Sequence, residues 1–229
     1  MNFGQSPYSM PPVVKNLLII NVLFFLASIV FDRVLGIRIA DYLGLHIPMA
    51  DNFHIFQFVT YMFLHAYPSP SHIFFNMFAL FMFGRMLETV WGSKRFLIYY
   101  FVTGMGAGII QELTWFFELR EIIFLDPEYF RMNGIEKEIF LNRFITVGAS
   151  GAVFGLLLAF GMLFPNAELM LIFPPIALKA KYFVMIYGAV ELFLGVSGRM
   201  DSVAHFAHLG GMLFGFFLIR HWKKTGNMY

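Results

Sequence analysis

Ser150 stands between glycines in Gly148-Ala149-Ser150-Gly151, and His208 precedes two glycines in Ala207-His208-Leu209-Gly210-Gly211. A serine hydroxyl becomes a useful nucleophile when an adjacent base takes its proton. Histidine, with an ordinary pKa near ~6.5, suits that task. Glycines beside the serine let a carbonyl approach the backbone and leave amide N–H groups to meet it. The tetrahedral intermediate of acyl transfer needs such donors, each worth roughly 3 kcal/mol. His72 and Asn76 are four residues apart, hence on one helical face, and both carry side-chain donors. As chemistry, the set reads as a nucleophile, its base and an oxyanion site.

The elements that must position these groups are membrane spans. The 229 residues are 59% hydrophobic and 13% charged, with 31 Phe and 15 Met. The mean hydropathy is +0.70, far more apolar than a soluble domain. Cysteine is absent, which rules out a disulfide framework without fixing a redox compartment. The basic residues are scattered through short loops rather than forming a stripe, so nucleic acid is not an expected partner. Apolar runs of about 20 residues predict six spans near 13–33, 68–88, 95–117, 144–165, 181–198 and 202–222, in one all-α membrane domain over residues 1–229.

Lys15, Arg85, Lys94, Arg95, Lys179, Lys181, Arg220, Lys223 and Lys224 fall on one side of this topology, against Arg33, Arg38 and Arg199 on the other. Basic short loops stay inside, so both termini are expected in the cytoplasm. A compact chain with no targeting segment further suggests a prokaryotic inner membrane. Spans four and six then run in the same direction. Counted as helix from Phe144 and from Ser202, Ser150 and His208 each lie about six residues, or ~9 Å, below the start of their spans. Parallel direction and equal depth are what two side chains need to meet.

Each pattern also has a plainer reading. Gly151-x-x-x-Gly155 and Gly211-x-x-x-Gly215 are small-xxx-small repeats that pack membrane helices whatever the function. The two readings are compatible, because close packing of spans four and six would bring Ser150 to His208. An ionisable residue inside a membrane is by default a functional candidate, and three polar patterns coincide in depth on three spans. His205 shares a face with His208 but lacks its flanking glycines. His65 reads as a structural residue of the connection between spans one and two, and Glu88 as an anchor for the loop after span two. Glu191 interrupts span five; it either snorkels to the outer surface or lines a cleft. No His-Glu-x-x-His pattern is present, so neither a metal nor a cofactor is expected.

Taken together, His72-x-x-x-Asn76, Gly84-x-x-x-Glu88, Gly92-Ser93-x-Arg95-Phe96, Gly148-x-Ser150-Gly151 and Ala207-His208-x-x-Gly211-x-x-x-Gly215 resemble the rhomboid family of intramembrane serine proteases over roughly residues 50–222. The resemblance implies a six-helix bundle with an interfacial hairpin between helices one and two, and a water-filled cavity open to the outside. It implies a Ser150–His208 dyad with no acidic third member, and an oxyanion site of His72, Asn76 and the Ser150 amide. Gly148, Gly151, Phe154, Gly211 and Gly215 would shape the site. Phe154 stands where many members carry a tyrosine that stacks on the histidine. Phe56-Gln57 replaces a Trp-Arg pair that some members use in the hairpin.

The function so implied is endopeptidase action on transmembrane protein substrates within the lipid bilayer, near its outer face. Two other classes stand beside it. A catalytically inactive rhomboid-like binder of membrane clients would usually lack the serine or the histidine. A channel or transporter would show broken helices or charges at mid-membrane, for which Glu191 is the one candidate. Substrate, pathway, oligomeric state and the role of segment 118–145 are not written in the sequence.

Overall fold

A computed structural model describes residues 10–67, 69–125, 128–170, 175–197 and 202–226. Six long helices carry the bundle: α1 (Pro12–Val30), α2 (Pro70–Ala79), α3 (Arg85–Arg120), α4 (Ser150–Leu163), α5 (Ala180–Ser197) and α6 (Ser202–Lys224). Among the described residues, three helical stretches are long and apolar enough to cross a membrane: Pro12–Leu35, Pro70–Phe124 and Ala180–Ser197. The second is 55 residues long, about 80 Å if straight and more than twice the ~30 Å of a hydrocarbon core. It is therefore folded back on itself. A π-type turn (Leu80–Gly84) carries α2 into α3, and the reversal comes at Gly92 (φ 75°, ψ 161°), a conformation that only glycine adopts freely.

The α4 helix is the central post. It is apolar and almost every residue from Gly151 to Gly161 is buried, the signature of a helix enclosed on all sides. The α3 and α6 helices wrap it most closely, with α5 and the Leu80–Gly84 turn on the remaining sides. Small residues make that possible. A Cβ on Gly155 would lie 2.6 Å from Thr103, one on Gly210 2.7 Å from Ile110, and one on Gly211 would overlap the Gly151 carbonyl. The outer faces present Leu23, Phe74, Phe193 and Phe217, as lipid contact requires.

Glu88, only 3% exposed, fastens one end of the bundle. Its carboxylate accepts the Val13 and Val14 amides at 3.0 and 2.8 Å and the Ser93 hydroxyl at 2.6 Å. Those amides open α1, which starts on Pro12 and has no side-chain cap of its own, so the carboxylate satisfies orphan donors at the positive end of the helix dipole. Glu88 is thus an anchor, as expected, but of α1 as well as of the loop. Trp91 and Trp222 meet edge-on at 5.5 Å, which brings the end of α6 to the same place.

The connection from α1 to α2 holds short helical pieces at Ala40–Leu43 and Gln57–Thr60. Gln57 is fully buried. Its amide oxygen accepts the His46 and His54 amides at 3.3 and 3.1 Å, and its nitrogen donates to the Tyr42 and Asn52 carbonyls at 3.0 and 2.8 Å. One neutral side chain therefore organises this connection where the Trp-Arg pair is missing. A two-residue strand, β1 (Leu45–His46), pairs antiparallel with β2 (Ile145–Thr146) and ties the connection to the chain just before α4. A second small hairpin, β3 (Glu168–Met170) with β4 (Ala177–Lys179), joins α4 to α5. Neither ladder was signalled by the sequence. Segment 118–145 contains two short helices, Glu128–Asn133 and Lys137–Leu141. Asn133 closes the first of them and Gly134, with φ 62°, follows it; Pro127 and Pro68 lie outside the described residues.

Glu88→Ala should lower unfolding stability by about 2 kcal/mol, since it strips two backbone donors of an ionised acceptor. A titration with denaturing detergent that finds wild-type stability would show that α1 holds without this cap.

Candidate active site

The fourth apolar run does not enter the bundle as a helix. Residues 144–149 are extended or irregular and α4 begins at Ser150 itself, so the equal count of helical residues above Ser150 and His208 is not what aligns them. Gly148 has φ 141°, outside the helical region. Its amide donates to the Tyr61 carbonyl at 3.0 Å, while the Tyr61 hydroxyl donates to the Gly104 carbonyl on α3 at 2.6 Å. The chain before the serine is thereby pinned, and the first turn of α4 begins with amides that have no partner inside the helix.

His208 projects from α6, and its Nε2 lies 2.9 Å from Ser150 Oγ. The imidazole stacks on Phe154, one turn after the serine, with ring centroids 4.1 Å apart and planes 5° from parallel. The expected stacking is therefore present with phenylalanine in place of tyrosine. Phe154 in turn rests against Tyr187 of α5 at 5.4 Å. Gly211 lies one turn below His208 and is the position whose Cβ would overlap the Gly151 carbonyl; a Cβ on Gly215 would overlap the Tyr99 hydroxyl, which donates to the Gly155 carbonyl at 2.8 Å. These glycines keep α4 and α6 close enough for serine and histidine to touch.

His72 and Asn76 sit on the first turns of α2. The Ala66 amide donates to His72 Nδ1 at 3.1 Å, so the proton of the neutral ring is on Nε2, ready to donate. A Cβ on Gly148 would lie 3.2 Å from that Nε2 and 3.5 Å from Ser150 Oγ; the two side chains face one another across a glycine with no side chain to block them. Asn76 Nδ2 spends one hydrogen on the His72 carbonyl at 2.9 Å and has a second. His65 lies edge-on to His72 at 5.1 Å. Burial, with a smaller contribution from His72, pushes its pKa down to about 4, so it is neutral at pH 7.

A cavity of about 910 Å³ adjoins these groups. Ser150, His208, His72 and Asn76 are at its polar side; Phe75 and Phe78 of α2, Met82 of the Leu80–Gly84 turn, and Phe183 and Tyr187 of α5 form apolar walls, with Leu169 and Met170 of β3 beyond. Such a space takes an apolar chain beside a few convergent polar groups.

Glu191 is the residue that sequence reasoning underrated. It neither snorkels nor faces an open cleft: at 7% exposure, its Oε2 lies 2.7 Å from His205 Nδ1 and 3.0 Å from His208 Nδ1. An acidic group thus does stand behind the histidine. The signal available was its position as an ionisable residue inside an apolar span. His205 contacts this carboxylate rather than Ser150. Glu191, His205 and His208 are also the one cluster among the described residues with the donor types and convergence to hold a metal ion. The two N···O separations, 2.7 and 3.0 Å, are hydrogen-bond lengths, shorter than the ~3.3 Å that separates two ligand atoms each ~2.0 Å from one tetrahedral ion.

The Rhomboid domain model matches residues 52–222. The chain belongs to the rhomboid family. It is an integral membrane protein of rhomboid-like all-α fold, in a family that includes intramembrane serine proteases. Among its relatives, RHOMBOID-like protein 2 of Arabidopsis thaliana is 33% identical over 162 residues, which is 71% of this chain and 40% of that protein. Rhomboid-like protein 11, chloroplastic, of Arabidopsis thaliana is 27% identical over 170 residues (72% and 51%). Rhomboid protease AarA of Providencia stuartii is 24% identical over 180 residues (73% and 58%). This rhomboid chain spans about half the length of the curated relatives it matches.

Gly211→Ala should push α6 from α4 and slow labelling of Ser150 by a fluorophosphonate probe roughly 100-fold, as misplacement by about 1 Å does elsewhere. Helical content by circular dichroism should hold. Undiminished labelling would mean that the Gly151–Gly211 contact does not set the serine–histidine distance.

Proposed function

We propose that this rhomboid is a serine endopeptidase that cleaves transmembrane proteins within the bilayer, near the face opposite the Glu88 anchor. The observation that carries the reading is the 2.9 Å contact between Ser150 Oγ and His208 Nε2 beside an apolar cavity. Ser150 Oγ attacks the scissile carbonyl carbon while His208 Nε2 takes its proton. The oxyanion is met by His72 Nε2–H, the free hydrogen of Asn76 Nδ2 and the Ser150 amide at the start of α4. His208 then returns the proton to the leaving nitrogen as the C–N bond breaks. Water attacks the resulting ester, gives a proton to His208 and displaces Ser150, which recovers it.

A peptide bond in an intact helix is already hydrogen-bonded and is shielded by side chains, so the substrate must unwind locally. Small or helix-breaking residues near the cut reduce that cost. The orientation follows from charge. The Glu88 anchor gathers the start of α1, the Gly92 turn and the end of α6, and these carry Lys15, Arg85, Lys94, Arg95, Arg220, Lys223 and Lys224. Lys and Arg favour the cytoplasmic side, which puts both termini there and the cut at the outer face.

Ser150→Ala and His208→Ala should each lower cleavage of a transmembrane reporter by at least about 10³-fold. His72→Ala and Asn76→Ala should lower kcat by about 10²-fold each, with less effect on KM. Full cleavage by Ser150→Ala would sink the assignment. A folded wild type that neither cleaves nor reacts with a fluorophosphonate would indicate instead a client-binding protein without catalysis.

A further inference from the structure

We propose that Glu191 is a positioning residue for His208, steadied by His205, so that the site works as a Ser150–His208–Glu191 relay of contacts rather than as a two-residue dyad. This rests on the protease reading above and extends it to a residue on a third helix.

A carboxylate only accepts hydrogen bonds, and a neutral imidazole carries one N–H. With Glu191 Oε2 3.0 Å from His208 Nδ1, the stable tautomer has the proton on Nδ1. The lone pair of Nε2 then faces Ser150 Oγ at 2.9 Å, which is the arrangement a general base needs. The opposite tautomer would set the Nδ1 lone pair against a carboxylate oxygen and make Nε2 a donor to the serine, unable to take its proton. Glu191 therefore selects the reactive tautomer.

Glu191 also fixes ring orientation. Stacking on Phe154 defines the plane of the His208 ring but leaves rotation within that plane free; the Nδ1 contact removes it. His205 completes the device. Its Nδ1 reaches the same Oε2 at 2.7 Å, occupying the second lone pair of that oxygen and holding the carboxylate where His208 requires it. When His208 takes the serine proton, a buried cation forms with an anion already beside it and no reorganisation is needed. The groups facing this cluster are Tyr187 one turn earlier on α5, Ser150 on α4 and His72 on α2. None of them substitutes for the carboxylate at Nδ1.

A purely structural alternative is that Glu191 and His205 tie α5 to α6. The two roles separate in the kinetics. Wild type and Ser150→Ala are compared first by fluorophosphonate labelling; a wild type that fails to label overturns the protease reading and this proposal with it. Given labelling, Glu191→Gln should lower kcat by at least about 10-fold and up to about 10⁴-fold, the loss seen when an orienting carboxylate elsewhere becomes an amide, with KM within threefold and the unfolding midpoint unchanged. Glu191→Asp should recover part of the loss, and His205→Ala should lower kcat about 10-fold. In a His208→Ala background, Glu191→Gln should have no further effect on residual activity, because it acts through that ring. If Glu191→Gln keeps kcat within threefold of wild type, or lowers it equally with and without His208, the proposal is overturned. Should Glu191→Gln fold poorly, His205→Ala and Glu191→Asp decide it, and wild-type kcat in both would overturn it.

Discussion

Everything at this site depends on the approach of two backbones where α6 crosses α4. Gly211 lies so close to the Gly151 carbonyl that no side chain fits between them, and lipid gives two apolar helices no hydrophobic reason to come together. What holds them is dispersion over a long, close interface, available only where small residues let main chains approach. The same contact sits one residue past the serine on one helix and three past the histidine on the other. Packing and site geometry are therefore one constraint: the glycines that stabilise the pair also set the distance between Ser150 and His208.

Depth is set by a different device. The α4 helix has 14 residues, about 21 Å, against a hydrocarbon core of ~30 Å. The difference is taken up by chain that is not helical, in residues 144–149, held by the β1–β2 ladder, the Tyr61 carbonyl and the positive φ of Gly148. Non-helical backbone at such depth is tolerated only where protein or water satisfies it. This arrangement lets a helix begin at the serine itself, with its first amides left unpaired within the helix. A full-length span would have buried those amides in its own hydrogen bonds.

Most of this was legible in the sequence because it was written in residue types with narrow physical uses. Apolar runs marked the helices, glycine pairs marked the close crossings, and Ser150, His208, His72 and Asn76 were polar groups with no other reason to share a depth. What escaped depended on partners far apart in the chain. The β1–β2 ladder joins two residues near 45 with two near 145, too short to leave an alternating pattern. Gln57 reads as an ordinary polar residue until its four backbone partners are known. Glu191 precedes His205 by fourteen residues, and only the folding of α5 against α6 shows that both histidines aim at the same oxygen. Counting residues into each span put Ser150 and His208 at one level, yet it assumed helix above the serine where the chain is extended.

The two ends of the bundle use buried carboxylates in opposite ways. Glu88 accepts two backbone amides and a hydroxyl; its partners are fixed donors with no second state, so the interaction serves to hold. Glu191 accepts from two imidazoles, groups that exchange protons readily and that, through His208, reach the serine. A carboxylate among apolar helices is expensive unless its lone pairs are filled. Both acids meet that condition, but only one meets it with groups able to change state. The rigid end gathers the basic loops, and the end able to move protons faces the cavity. A bundle fastened at one end by permanent hydrogen bonds is free to keep its exchangeable ones beside the cavity.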